Sequence, residues 1–141
     1  MSLSQSEIAS GLATILGHDA VVTDAQKMDA YLKEPRKRFH TPAAAVVTPP
    51  DVPALQALLR WANENRVGII PQGGNTGLVG AQVPLLGSEV IVSLARFDRI
   101  RALDTAAGVM TAESGVILEN AHKAAEAQGA MFPLWLASQG S

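Results

Sequence analysis

Ile69-Ile70-Pro71-Gln72-Gly73-Gly74-Asn75-Thr76-Gly77-Leu78-Val79-Gly80-Ala81-Gln82-Val83-Pro84 decides how the rest of the sequence is read. A short apolar run enters a loop with four glycines in eight positions, 73–80, and a proline closes it. Glycine permits positive φ and lets another group approach the backbone where no Cβ intervenes. Such a loop turns several N–H groups toward one point, a concavity suited to an anion such as phosphate. No Gly-Lys-Ser/Thr follows, so this is not the Walker pattern, and Asn75 stands where Gly-x-Gly-x-x-Gly needs its second glycine. The spacing is Gly-Gly-Asn-Thr-Gly-x-x-Gly, with Asn75 and Thr76 offering side-chain hydrogen bonds. The residues alone leave two readings open: a phosphate site, or a tight irregular connection inside a compact domain.

Working outward, residues 67–71 read as the strand that feeds the loop. Before it, 43–48 reads as a buried strand stopped by Pro49-Pro50. Asp51 then caps a helix with Pro53 in its first turn. Leu55, Leu58, Leu59 and Ala62 recur at helical spacing, so that face is expected to pack on a sheet. Strand, helix and strand within about 30 residues predict a βαβ unit with parallel strands. The glycine loop then leaves the C-terminal end of a strand, where α/β arrangements commonly hold ligands.

Downstream, 89–94 is a further strand, 100–104 and 109–113 form a hairpin around Thr105-Ala106-Ala107-Gly108, and Ser114-Gly115 turns into a helix over 117–128. Leu118, Ala121 and Ala125 are expected on its inner face, with a last extended piece over 130–134. Upstream, Ser4-Gln5-Ser6-Glu7 is a capping box for a helix carrying Ile8, Leu12, Ile15 and Leu16. Val21-Val22 is a short strand, and Thr23 or Asp24 caps a second helix to Leu32. The fold class is α+β: a βαβ unit plus further strands in a mixed sheet flanked by helices. The chain divides into an N-terminal helical lead-in, 1–42, and a domain over 43–141.

The chain has 141 residues, of which 48% are hydrophobic, enough for one domain with a real core. A net charge of −2 gives no reason to expect nucleic acid or an anionic membrane as partner. The absence of cysteine excludes disulfides and thiolate chemistry and suits a reducing cytoplasm, the expected location. No apolar run is long enough to span a bilayer. Residues 33–40, Lys33-Glu34-Pro35-Arg36-Lys37-Arg38-Phe39-His40, are the most basic stretch and read as a solvated connection, with contact to an anionic cofactor or substrate as the minority reading.

His18, His40 and His122 lie far apart. His122 has Glu126 four residues on, a spacing more often a surface contact than a metal site, so no metal is expected. No Gly-x-Ser-x-Gly elbow or His-Glu-x-x-His helix occurs, and Ser114-Gly115 reads as a turn. No catalytic residue is assigned.

Pro71-Gln72-Gly73-Gly74-Asn75-Thr76-Gly77-Leu78-Val79-Gly80 resembles the first pyrophosphate loop of the FAD-linked oxidases, the flavoproteins whose FAD domain occurs in p-cresol methylhydroxylase and vanillyl-alcohol oxidase. Within them it most resembles the FAD-dependent D-2-hydroxyacid dehydrogenases of the D-lactate, D-2-hydroxyglutarate and glycolate oxidase D-subunit types. The similarity runs from about Val21 to Ser141. It implies the first lobe of such an FAD domain, with Pro71, Gln72, Gly73, Gly74, Asn75, Thr76, Gly77, Leu78 and Gly80 on the cofactor and Gly140 and Ser141 beginning a second phosphate loop. The parent implied is an oxidoreductase of which this is an N-terminal piece, using a 2-hydroxyacid substrate and a separate electron acceptor, while the chain alone is inactive. Asn75 replaces the histidine that carries covalent flavin in several members, so dissociable FAD is expected. Ala81 and Gln82 depart from the glycine and serine of the closest members, and Trp135 from a small or polar residue. An unpaired 131–136 is expected to favour self-association into a homo-oligomer. The second function class is a self-contained α+β module binding a phosphorylated ligand for regulation or assembly, without redox chemistry.

Overall fold

A computed structural model of the chain describes residues 3–33, 35–39, 41–138 and 140. Three helices begin at an acceptor side chain, as their sequences require. Ser4 caps α1 (Gln5–Leu16) by accepting the Glu7 N–H while the Glu7 carboxylate accepts the Ser4 N–H, the expected reciprocal box. Asp24 caps α2 (Ala25–Leu32) through the Lys27 N–H at 2.9 Å. Asp51 caps α3 (Val52–Asn65) through the Ala54 N–H at 2.8 Å. Arg66, left-handed at φ 57°, ends α3.

The sheet contains β1 (Val21–Val22), β2 (Ala45–Val47), β3 (Ile69–Gln72) and β4 (Val90–Ser93) in the order β1-β2-β4-β3. The pair β2 and β3 is parallel across α3, as the βαβ reading predicts, but β4 lies between them and bonds to both. With β1 antiparallel to β2, the sheet is mixed. Alternation along the strands divides the core. Ala45, Val47, Val90 and Val92 face Ile8, Leu12 and Leu58 of α1 and α3, whereas Val46 and Ile91 face Met28 of α2. Strands covered on both faces have no polar side to show, which is why they read as continuous apolar runs. Each of these fully buried Val or Ile side chains contributes about 1.5–3 kcal/mol. Gly11 lets α1 approach α3 closely, since a Cβ there would lie 2.5 Å from the Trp61 ring. Leu59 is a correction: it is 45% exposed, because the buried arc of α3 runs through Leu58 and Ala62 and stops short of it.

β5 (Ile100–Asp104) and β6 (Val109–Ala112) form the expected hairpin as a separate two-stranded sheet. Its base is tied by Glu113, whose buried carboxylate accepts from the Arg99 N–H, the Arg99 guanidinium at 3.0 Å and the Arg101 guanidinium at 2.9 Å. The hydrogen bonds from Arg99 and then Arg101 hold its pKa down to about 2, against an ordinary 4.5. A carboxyl depressed on folding stabilises the native state above its unfolded pKa and loses that contribution as pH falls through the folded one. Glu113→Gln is therefore expected to lower the thermal midpoint at pH 7, with the gap to the parent chain closing between pH 4.5 and 2. A gap independent of pH over that range would contradict the assignment.

α4 (Leu118–Glu126) turns Ala121 and Ala125 inward as expected, and buries His122 with them. The extended piece expected at 130–134 forms no strand. Pro133 lacks an N–H to pair, and the segment lies on α4 instead. His122 donates from Nε2 to the Leu134 carbonyl at 2.8 Å, and its ring packs at 4.5 Å from Trp135 and 5.9 Å from Phe132. The histidine read as a surface contact is thus the residue that holds this segment. Met131, Leu134, Trp135 and Leu136 remain exposed on its outer side.

Candidate functional site

The glycine loop leaves the C-terminal end of β3, as expected, and returns to β4 through residues 81–89. Among the described residues, no backbone N–H of 73–78 is donated to a partner within the chain. Gly73, Gly74, Thr76, Gly77 and Leu78 are exposed. A Cβ added at Gly73 would meet only the Ser114 carbonyl oxygen, at 4.0 Å. Glycine there leaves room for an approaching group rather than supplying an unusual conformation. Positive φ in the loop falls instead at Asn75 (55°) and Gly80 (80°).

Two residues expected to face a ligand are committed to the protein. Gln72 is buried, and its Nε2 donates to the Tyr31 carbonyl at 2.8 Å and the Gln82 carbonyl at 2.9 Å. Asn75 donates from Nδ2 to the Lys33 carbonyl and, at 3.5 Å, to the Tyr31 carbonyl. Its amide N–H groups therefore close the end of α2 and are not offered outward. The Asn75 Oδ1 is buried without a partner among the described residues. Gly80 is buried against the Phe39 ring, and Pro71 stands opposite Val92 in the sheet. Gly140 lies in a turn with nothing within 4 Å of an added Cβ; Ser141 lies outside the described residues, as does His40.

The unusual residues of the loop's second half have structural work. Gln82 donates from Nε2 to the Gly77 carbonyl at 2.6 Å and so closes the turn. Ala81 has no positive φ and bears no left-handed strain. Glu89 accepts the N–H groups of Leu85 and Leu86 at 3.1 and 3.0 Å. Burial pushes its carboxyl up, but the backbone donors of Leu86, Leu85, Glu89 and Gly87 outweigh it and leave the pKa below the usual range.

A ligand suited to this loop supplies anionic oxygens to open N–H groups and a donor to the Asn75 oxygen. A dinucleotide with a diphosphate and polyol hydroxyls has both. Residues 43–141 match the family described as FAD binding domain. The chain belongs to the FAD-binding domain family. Its cofactor is accordingly FAD. The chain is 35% identical over 130 residues to a D-2-hydroxyglutarate dehydrogenase of Stutzerimonas stutzeri, covering 92% of this chain and 28% of the relative. It is 32% identical over 127 residues to the mitochondrial D-2-hydroxyglutarate dehydrogenase of Arabidopsis thaliana, covering 90% and 22%. The solved structure of p-cresol methylhydroxylase with substrate bound superposes with a TM-score of 0.80 at 21% identity, covering 95% of this chain and 27% of that one, and shows the shared fold. The chain thus spans about a quarter of the length of the curated relatives it matches.

Sequence reasoning missed the Tyr31 and Lys33 carbonyls, Phe39 and the Ser114 carbonyl. Only the paired amides Gln72 and Asn75 signalled the first two, since an amide in a turn must place its N–H groups somewhere. Among the described residues of this FAD-binding domain, no helix is long and apolar enough to cross a membrane.

Proposed function

We propose that the chain is the N-terminal FAD-binding portion of a flavin-dependent oxidoreductase acting on a D-2-hydroxyacid. The carrying observation is the run of N–H groups over 73–78 that stays open at the end of β3 in a member of the FAD-binding domain family. Those groups, with Thr76, would hold the diphosphate, and Pro71, Leu78, Gly140 and Ser141 would border the cofactor. Asn75 and Gln72 hold the loop in shape, and the Asn75 Oδ1 would take a hydroxyl of the cofactor. FAD accepts a hydride when bound; residues of this chain bind and orient it, and none is assigned to the proton. The substrate class rests on the D-2-hydroxyglutarate dehydrogenases above, as does the need for an electron acceptor. The exposed 131–136 surface supports a homo-oligomer. A cytoplasmic location rests on the lack of cysteine, and the Arabidopsis relative's mitochondrial name is the alternative. An amide cannot form the covalent flavin bond, so the cofactor is dissociable.

Titrating the chain with FAD should shift the amide resonances of 73–78 with a Kd well above micromolar, and acid precipitation should return all of the flavin to the supernatant. Unmoved loop amides at millimolar FAD, or flavin in the pellet, would overturn the site or the linkage respectively.

A further inference from the structure

The basic stretch 33–39 is not the free connection its composition predicts. At one end the Lys33 carbonyl accepts from Asn75, and at the other the Phe39 ring lies against Gly80, 2.4 Å from where a Cβ would be. Its two fastenings are therefore two points of one glycine loop, which keeps the described residues between them, 35–38, near that loop. Those residues include Arg36, Lys37 and Arg38, all exposed. Arg36 and Arg38 also interact within the chain, but a guanidinium keeps its charge when it does so. The backbone points the same way. Of the described non-glycine residues with positive φ, Arg66 ends a helix, and the other two are Lys37 (52°) and Asn75 (55°), one in each segment. Such conformations persist only where the surroundings hold them, and they gather at binding sites. The match to the FAD-binding domain family begins at residue 43, so this segment lies before it.

We propose that residues 35–39 form a basic strap that belongs to the anion site, adding the positive charge of Arg36, Lys37 and Arg38 beside the open N–H groups of 73–78. The ligand it serves is a diphosphate group, and the inference rests on the reading of the loop as the FAD diphosphate site. Charges on an exposed strap act through solvent, so their contribution is modest and falls with salt.

The test is a titration of the chain with inorganic pyrophosphate, followed by amide resonances at two salt concentrations. The parent chain should shift 73–78 and the strap together. The variant Arg36→Gln/Lys37→Gln/Arg38→Gln should bind about tenfold more weakly, with a flatter salt dependence. The charge-preserving variant Arg36→Lys/Lys37→Arg/Arg38→Lys should stay within about twofold of the parent. Ligand-free spectra of both variants report whether the loop is intact. Equal affinity and salt dependence in the glutamine variant, with the loop still shifting, would overturn the strap and leave the loop reading standing. A loss in the charge-preserving variant as large as in the glutamine variant would overturn the electrostatic role. No shift of 73–78 in the parent would overturn the loop reading, and the strap with it.

Discussion

Gly115→Ala is expected to destabilise the chain by about 4 kcal/mol and lower its thermal midpoint by roughly 12 °C. A Cβ at this position would lie 2.1 Å from the Leu94 carbonyl oxygen and 2.9 Å from both the Leu94 carbonyl carbon and the Phe97 carbonyl oxygen. All three are main-chain atoms, so no side chain can swing aside. The Gly115 N–H also donates to the Phe97 carbonyl at 2.8 Å, and moving the backbone to admit a methyl group would weaken that bond. Ser114, next in line, faces Gly73, so the damage should reach the loop as well. A midpoint within about 3 °C of the parent would show that the crossing relaxes easily.

Gly80→Val should destabilise by about 3 kcal/mol. Roughly 1–2 kcal/mol comes from placing a branched residue at a φ of 80° and the rest from displacing Phe39. The two parts separate in a double-mutant cycle with Phe39→Ala, which removes the ring but not the strain. The coupling energy is expected to be about 1 kcal/mol, the contact part alone. Strict additivity in urea denaturation would mean that the ring and the loop do not press on each other.

What was legible in the sequence was whatever a short window encodes. Ser4, Asp24 and Asp51 each cap the helix that follows them, and Thr105 to Gly108 turns the hairpin. The order of strands was not legible. The residues Val46-Val47, Ile69-Ile70 and Val90-Ile91-Val92 offer nearly the same surface, and nothing local says that the last sits between the other two. Leu59 failed because spacing defines a face but not the width of what covers it. Residues 130–134 failed because a strand needs an available edge as well as an apolar run.

At the candidate site, the loop was visible from its glycines, but the roles within it were not. The amide of Asn75 finds its acceptors at Tyr31 and Lys33, more than forty positions away in sequence. A polar side chain in a glycine loop reads as ligand-facing until the donors it must satisfy elsewhere are known. A similar distance separates Lys33 and Phe39 from the loop residues they contact, so the basic stretch 33–40 read as a solvated connection, with contact to an anionic cofactor or substrate as the minority reading.

The insertion of β4 between β2 and β3 bears on how the protein is made. Ala45 pairs with Val90 and so does Ile69, so β3 has no strand neighbour, and β2 has only β1, until the 90–93 segment has emerged from the ribosome. At about 5–20 residues per second, the nascent chain waits roughly one to four seconds between completing β3 and completing β4. During that interval β3 is unpaired, β2 is open along one edge, and the apolar face of α3 lacks the Val90 and Val92 part of its cover. Non-local parallel pairing is also slow once it begins. A translational pause between codons 73 and 89 would lengthen this exposure, so synonymous changes there should alter the yield of folded protein more than equivalent changes after β4.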